Sequence, residues 1–114
     1  MNYNIIVTTH FERCLKHLYK KYRSIKQDLA DFIEELRKNP EVGIPLDKNT
    51  FKIRMSIKSK GKGKSGGARV ITCNVLVGVS DTDIYLLTIY DKADQDSISD
   101  LEIKKLKKLN GLES

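Results

Sequence analysis

Residues that bind metals or form disulfides are scarce in this sequence. Its 114 residues include two histidines, two cysteines and no tryptophan. Two histidines alone cannot complete a metal site, and Cys14 and Cys73 each lie in an apolar pattern, which argues against a disulfide framework. The sequence therefore predicts neither a metal ion nor any other cofactor.

Long apolar segments are absent as well. The longest stretch without a charged side chain, residues 70–80, is much shorter than the about 20 apolar residues of a membrane-spanning helix. Residues 1–5 lack the basic-then-apolar pattern of a signal peptide. We expect a cytoplasmic protein without a membrane partner, folded as a single domain over residues 1–114.

One stretch, residues 51–70 (FKIRMSIKSKGKGKSGGARV), lacks acidic residues altogether. The remaining chain carries 14 basic and 15 acidic side chains, so the net charge of +6 depends on this stretch. A cluster of one sign repels itself and therefore indicates an anionic partner. Its basic residues are Lys52, Arg54, Lys58, Lys60, Lys62, Lys64 and Arg69.

Hydrophobic periodicity predicts an α+β domain. An N-terminal strand over residues 3–8 and a helical hairpin that ends before Pro40 are expected to pack on a small antiparallel β-sheet, followed by a C-terminal helix. Capping boxes predict helix starts at Thr9, Ser24 and Ser99. Residues 40–49 and 59–67 are expected to be loops, and the further strands are predicted at residues 51–58, 68–77 and 84–90.

Two catalytic interpretations fail on spacing or context. Gly63-Lys64-Ser65 suggests a nucleotide-binding loop, but that motif requires glycine at position 58, which is lysine, and a helix where a strand is predicted. Cys14 and His17 would form a thiol–imidazole pair on one helix, but their neighbours indicate a core position for Cys14.

The basic stretch and the end of the last strand remain as the candidate functional site. In an antiparallel sheet Arg54, Arg69 and Tyr90 would meet on one open face if the last two point that way.

Two motifs resemble the RelE/ParE superfamily of toxin–antitoxin toxins, in its HigB-like branch. One is Lys52-Ile53-Arg54 followed by KGKSGGARVI at residues 62–71, and the other is YLLTIYDK at residues 85–92. The resemblance implies a RelE-like fold and a toxin that acts as a ribosome-dependent, metal-independent messenger-RNA endonuclease and inhibits translation. The implied partners are a cognate antitoxin protein, messenger RNA and ribosomal RNA.

The resemblance also implies residue roles. The catalytic residues would be Arg69, Tyr90, Lys92, Lys62 and Lys64. RNA-binding residues would be Lys52, Arg54, Lys58 and Lys60, of which Arg54 and Lys60 would contribute to phosphate binding.

The implied chemistry is plausible for these residue types. RNA supplies its own nucleophile, the 2′-hydroxyl, and a guanidinium such as that of Arg69 stabilises a phosphorane by bonding two of its oxygens. Lysine or tyrosine would transfer the protons, and the clustered cations are expected to lower the pKa of both.

Two alternatives remain open. Relatives usually carry aromatic residues after the Arg-Val-Ile motif, where this chain has Thr72 and Cys73. Members without the full residue set inhibit gyrase, so a gyrase-inhibiting ParE-like toxin is one alternative. The other, from a different class, is a non-catalytic RNA-binding regulatory module.

Overall fold

The computed structural model describes residues 2–112 as an α+β fold with five strands and three α-helices. The elements are β1 (Asn2–Val7), α1 (Thr9–Tyr19), α2 (Ile25–Lys38), β2 (Ile44–Pro45), β3 (Thr50–Met55), β4 (Ala68–Leu76), β5 (Asp81–Asp91) and α3 (Asp100–Leu109). A short 3-10 helix, Lys58–Lys60, follows β3. These elements confirm the predicted class and the predicted order of helices and longer strands. None of the helices within residues 2–112 combines the length and apolarity needed to cross a membrane.

The five strands form one mixed sheet in the order β1-β5-β4-β3-β2. Strands β3, β4 and β5 pair antiparallel, as predicted, and β2 pairs antiparallel with β3, whereas β1 lies parallel to β5. The parallel pair is permitted because the whole helical hairpin and three strands separate β1 from β5 in sequence, so no tight turn dictates their relative direction. β2 was not predicted: two residues of the expected loop, Ile44 and Pro45, pair with Lys52 and Phe51.

The helix starts differ in detail from the predicted capping boxes. Thr8, not Thr9, caps α1: its Oγ1 accepts a hydrogen bond from Phe11 N at 3.2 Å and donates one to Leu86 O at 2.8 Å. Its second bond, to β5, explains why the helix begins one residue early. Ser24 precedes α2 but makes no side-chain cap. Ser99 caps α3 as predicted, accepting from the amide three residues later at 3.1 Å.

Apolar side chains fill both faces of the sheet because neighbouring residues in a strand point to opposite sides. Val70 and Ile71, adjacent in β4, are fully buried in different clusters. The cluster beneath the hairpin includes Phe11, Ile25, Leu36, Ile53, Val70, Ile84, Leu86 and Ile89. The cluster beneath α3 contains Ile71, Cys73, Leu87, Tyr90, Ile103 and Leu106. No residue of β3 belongs to the second cluster, so α3 leaves that part of the second face uncovered.

Candidate nucleic-acid interface

Strand register places three of the predicted residues side by side. Arg54 of β3 lies opposite Arg69 of β4, and Arg69 lies opposite Tyr90 of β5. Directly paired residues in an antiparallel sheet project to the same face. The three side chains therefore form one row across the second face, which we call the cationic row, and the facing that the sequence left undetermined is settled.

A cleft of about 570 Å³ borders the two arginines of the cationic row, whereas Tyr90 does not line it. Its far wall comes from α2 and from the residues around β2. Since β2 pairs with β3 at only two positions, the outer edge of β3 stays open beside Arg54. The basic side chains that line the cleft are Lys52, Arg54, Lys64, Arg69 and Lys92, and its acidic lining is Glu35 and Asp96. Five of the nine predicted residues thus converge on one concave surface.

Arg69 is the buried arginine of the row, with 5% of its surface exposed. Its guanidinium donates hydrogen bonds to Ser65 O at 3.0 Å, Ala68 O at 3.2 Å and Lys64 O at 3.3 Å. Among residues 2–112 no carboxylate forms an ion pair with it. The positive charge is therefore solvated by backbone carbonyls rather than neutralised. The guanidinium also fixes the end of the loop at residues 59–67, which we call the Gly-Lys loop, against β4.

Tyr90 is more buried than expected, with 7% of its surface exposed. Its ring belongs to the apolar cluster under α3, and its hydroxyl is buried without a hydrogen-bond partner among the described residues. Burial raises the pKa of Tyr90, the charge of Arg69 opposes that rise, and the charge of Asp96 adds to it. The expectation that clustered cations would lower the pKa of this tyrosine is therefore wrong, because desolvation outweighs the one nearby guanidinium.

Two of the three lysines that line the cleft, Lys64 and Lys92, form ion pairs with acidic side chains. Lys64 Nζ lies 3.3 Å from Glu35 Oε2 of α2, and both side chains are exposed. Lys92 Nζ lies 2.6 Å from Asp96 Oδ1 in the turn after β5. Exposed ion pairs of this kind exchange readily for other partners. Both ammonium groups are thus available to an anion that enters the cleft.

The other three predicted lysines do not line the cleft. Lys58 pairs with Asp31 at 3.4 Å along α2, and Lys62 projects from the exposed Gly-Lys loop. Lys60, predicted to bind phosphate, instead lies 2.5 Å from Asp91 Oδ1, with only 11% of its side chain exposed. The ammonium group of Lys60 lies on the helical side of the sheet, away from the cleft, because the buried carboxylate of Asp91 lies there.

Asp91 is the central residue that the sequence analysis missed. Its carboxylate is fully buried and accepts hydrogen bonds from Lys60 Nζ and Tyr22 OH, both at 2.5 Å, and from Ala93 N at 3.0 Å. These donors hold the pKa of Asp91 below its ordinary value despite burial, which by itself raises it. The signal was present: Asp91 is an acid at the end of an apolar strand, between two predicted site residues.

The same carboxylate shifts Tyr22. Its hydrogen bond to Asp91 raises the pKa of Tyr22 from 10.0 to about 12, with smaller contributions from burial and from the negative charges nearby. Tyr22 lies between α1 and α2, so this bond joins the helical hairpin to the end of β5.

Asp91 and its three donors form one anchor, and a second cluster of hydrogen bonds holds the start of the Gly-Lys loop. Asp28 of α2 is buried, and its Oδ2 accepts from Lys58 N at 3.1 Å and Ser24 Oγ at 2.7 Å. Ser24 Oγ in turn accepts from Ser59 N at 2.9 Å. The hydroxyl of Ser24 therefore accepts from an amide of the loop rather than from a backbone amide of α2.

The cysteines lie apart from the cleft. Cys14 Sγ is 3.4 Å from His10 Nε2, one turn earlier in α1, rather than paired with His17. Cys73 is buried, and burial raises its pKa. Across residues 2–112, no three His, Cys, Asp or Glu side chains are grouped to hold a metal ion. Thr72 and Cys73, where the sequence departs from the RelE/ParE motifs that it resembles, do not line the cleft.

The fold and the site together describe an α+β protein with a cationic cleft on its sheet. No protein-family model matches the chain.

Removing the charge of Asp91 tests the anchor. We expect Asp91→Asn to lower the free energy of unfolding by about 3 kcal/mol, because Lys60 is left buried without its counter-charge. Asp94→Asn is the matched control: its carboxylate is exposed and 3.7 Å from Lys21, and its loss should cost no more than about 1 kcal/mol. Urea denaturation at neutral pH measures both. Equal effects of the two substitutions would refute the anchor.

Tyr22 gives the anchor a pH dependence. Its folded pKa of about 12 lies above the ordinary 10.0, so the protonated phenol favours the folded state. This contribution is complete below pH 10 and is lost as the pH rises toward 12. Unfolding free energies measured across that range should fall more steeply for the wild type than for Tyr22→Phe. Parallel curves for the two proteins would contradict the assignment.

Proposed function

We propose that this protein is a metal-independent endoribonuclease, the toxin of a toxin–antitoxin pair, which cleaves messenger RNA on the ribosome and so inhibits translation. The observation that supports the proposal most strongly is the cationic row of Arg54, Arg69 and Tyr90, aligned by strand register beside a cleft with five basic side chains. A concave surface of this charge suits a single RNA strand, whose phosphates would lie along the cations.

The residues suggest a division of labour. Lys52 and Arg54, on the open strand β3, would bind phosphates that flank the cleavage site. Within residues 2–112 no carboxylate forms an ion pair with the buried charge of Arg69, and such a charge stabilises an anionic phosphorane more strongly than an exposed one. Lys64 and Lys92 would orient the substrate, and one of them, as a neutral amine, would accept the proton of the 2′-hydroxyl.

Tyr90 fits the role of proton donor better than that of base. Burial raises its pKa, so the phenol is protonated at neutral pH and can supply a proton to the leaving 5′-oxygen. Its hydroxyl has no partner among the described residues, and a substrate oxygen would supply one.

The proposed partners follow from the same surface. Messenger RNA and ribosomal RNA would contact the basic cleft in a cytoplasmic setting, and an antitoxin would silence the toxin. An acidic antitoxin segment laid along the cleft would pair with Lys52, Arg54 and Lys92 and exclude RNA.

One observation favours a second candidate, a non-catalytic RNA-binding module. Tyr90 is buried, and the guanidinium of Arg69 already donates to three backbone carbonyls, so neither group is free for chemistry without a rearrangement. Such a module would bind RNA in a salt-sensitive manner and leave it intact.

Tyr90→Phe separates the two candidates. The substitution keeps the buried ring and removes a hydroxyl without a partner, so we expect unfolding free energy to change by no more than about 0.5 kcal/mol. Messenger-RNA cleavage on purified ribosomes should fall about 100-fold or more if the phenol transfers a proton. Tyr85→Phe, on the same strand, is the matched control and should leave cleavage unchanged.

The outcomes are distinct. Cleavage by the wild type that Tyr90→Phe does not reduce would refute the assigned role of the phenol. RNA binding by the wild type without cleavage on ribosomes, at any protein concentration tested, would favour the binding module. Absence of both binding and cleavage would refute both candidates.

A further inference from the structure

The turn between β5 and α3 brings a carboxylate into the cationic cleft. Asp96 Oδ1 lies 2.6 Å from Lys92 Nζ, and both residues line the cleft together with Lys52 and Arg69. These three cations come from three different parts of the sheet: β3, β4 and the residue that follows β5. A single anionic group therefore already lies where cations from three segments converge.

The electrostatics of Asp96 agree with this placement. The hydrogen bond from Lys92 is the main reason why the pKa of Asp96 is lowered, and the charge of Lys92 adds to it. Smaller contributions come from the charges of Lys52 and Arg69. The carboxylate thus experiences the cations of the cleft jointly and not only its nearest partner.

Asp96 differs from the structural carboxylate Asp91 in its burial and in the number of its hydrogen-bond donors. Both properties determine how easily another anion can replace a carboxylate. The side chain of Asp91 is fully buried and accepts from three donors, whereas 89% of the Asp96 side chain is exposed and, within the described residues 2–112, it accepts only from Lys92. An exposed pair contributes little to stability, so another anion can replace the carboxylate at little cost to the fold.

The hydroxyl of Tyr90 lies near these charges, beneath the surface of the cleft, whose lining does not include Tyr90. It is buried, has no hydrogen-bond partner within residues 2–112, and is influenced by the charges of Arg69 and Asp96. Buried polar groups are rarely left without a partner, so an acceptor that reached this hydroxyl would satisfy it.

We propose that Lys52, Arg69 and Lys92 form a phosphate subsite, and that Asp96 occupies it as an internal anion until an RNA phosphate displaces it. The inference rests on the proposed function for the identity of the ligand, a phosphodiester of RNA. Displacement frees Lys92 and moves the carboxylate away from Tyr90.

Neutralising Asp96 tests the subsite. Asp96→Asn removes the competing charge, and Glu34→Gln makes the same change in net charge at an exposed position of α2 outside the cleft. Two probes are used: inorganic phosphate, followed by the amide NMR signals of residues 92 and 96, and a short 2′-O-methyl RNA that cannot be cleaved, followed by fluorescence anisotropy. We expect Asp96→Asn to bind both probes about five-fold more tightly than the wild type. Glu34→Gln should change neither affinity.

The two probes separate this inference from the proposed function. Tighter phosphate binding by Asp96→Asn, with no RNA binding by any variant, would support the subsite and overturn the RNA function. Equal affinities of Asp96→Asn and Glu34→Gln for both probes would overturn the subsite whether or not RNA binds. Weaker binding by Asp96→Asn would also overturn it, because Asp96 would then help to position Lys92 instead of competing with the phosphate.

Discussion

The buried carboxylate of Asp91 is the interaction on which the geometry of the cleft depends. It joins three segments that are distant in sequence: Tyr22 in the helical hairpin, Lys60 at the start of the Gly-Lys loop, and Ala93 in the turn after β5. A carboxylate without water survives in the charged state only with several donors around it, so the three segments have to assemble together. The positions of the loop and of the turn, and hence of the lysines that they carry, follow from this assembly.

The sequence was sufficient to predict the elements and much of the site. Strict alternation in β3 predicted that Phe51 and Ile53 face the core and that Arg54 faces outward, because the side chains of a strand have a period of two. It did not predict on which face of the sheet Arg69 and Tyr90 lie. Both β4 and β5 carry apolar residues on both faces, so neither strand shows an alternation of polar and apolar residues that would assign a face. Only the register, set by pairing across three strands, places the three residues in one row.

The remaining differences arise from tertiary partners that a linear pattern does not contain. Lys60 appears in sequence as one of several equivalent loop lysines. Yet it is the one lysine of that loop that pairs with the buried Asp91 of β5. Tyr90 was expected beside cations that lower its pKa, but α3 packs over its ring and desolvation dominates. β2 escaped prediction because a two-residue strand containing proline has no periodicity to detect.

Our account holds that the cationic row binds RNA and promotes attack by the substrate's own 2′-hydroxyl. The chemical nature of the ends produced on a ribosome-bound messenger RNA tests that claim most directly. Attack by the 2′-hydroxyl leaves a 2′,3′-cyclic phosphate, or the 3′-phosphate that its hydrolysis gives, on the upstream fragment and a 5′-hydroxyl on the downstream one. The account predicts these ends. Fragments that carry a 3′-hydroxyl and a 5′-phosphate would contradict it.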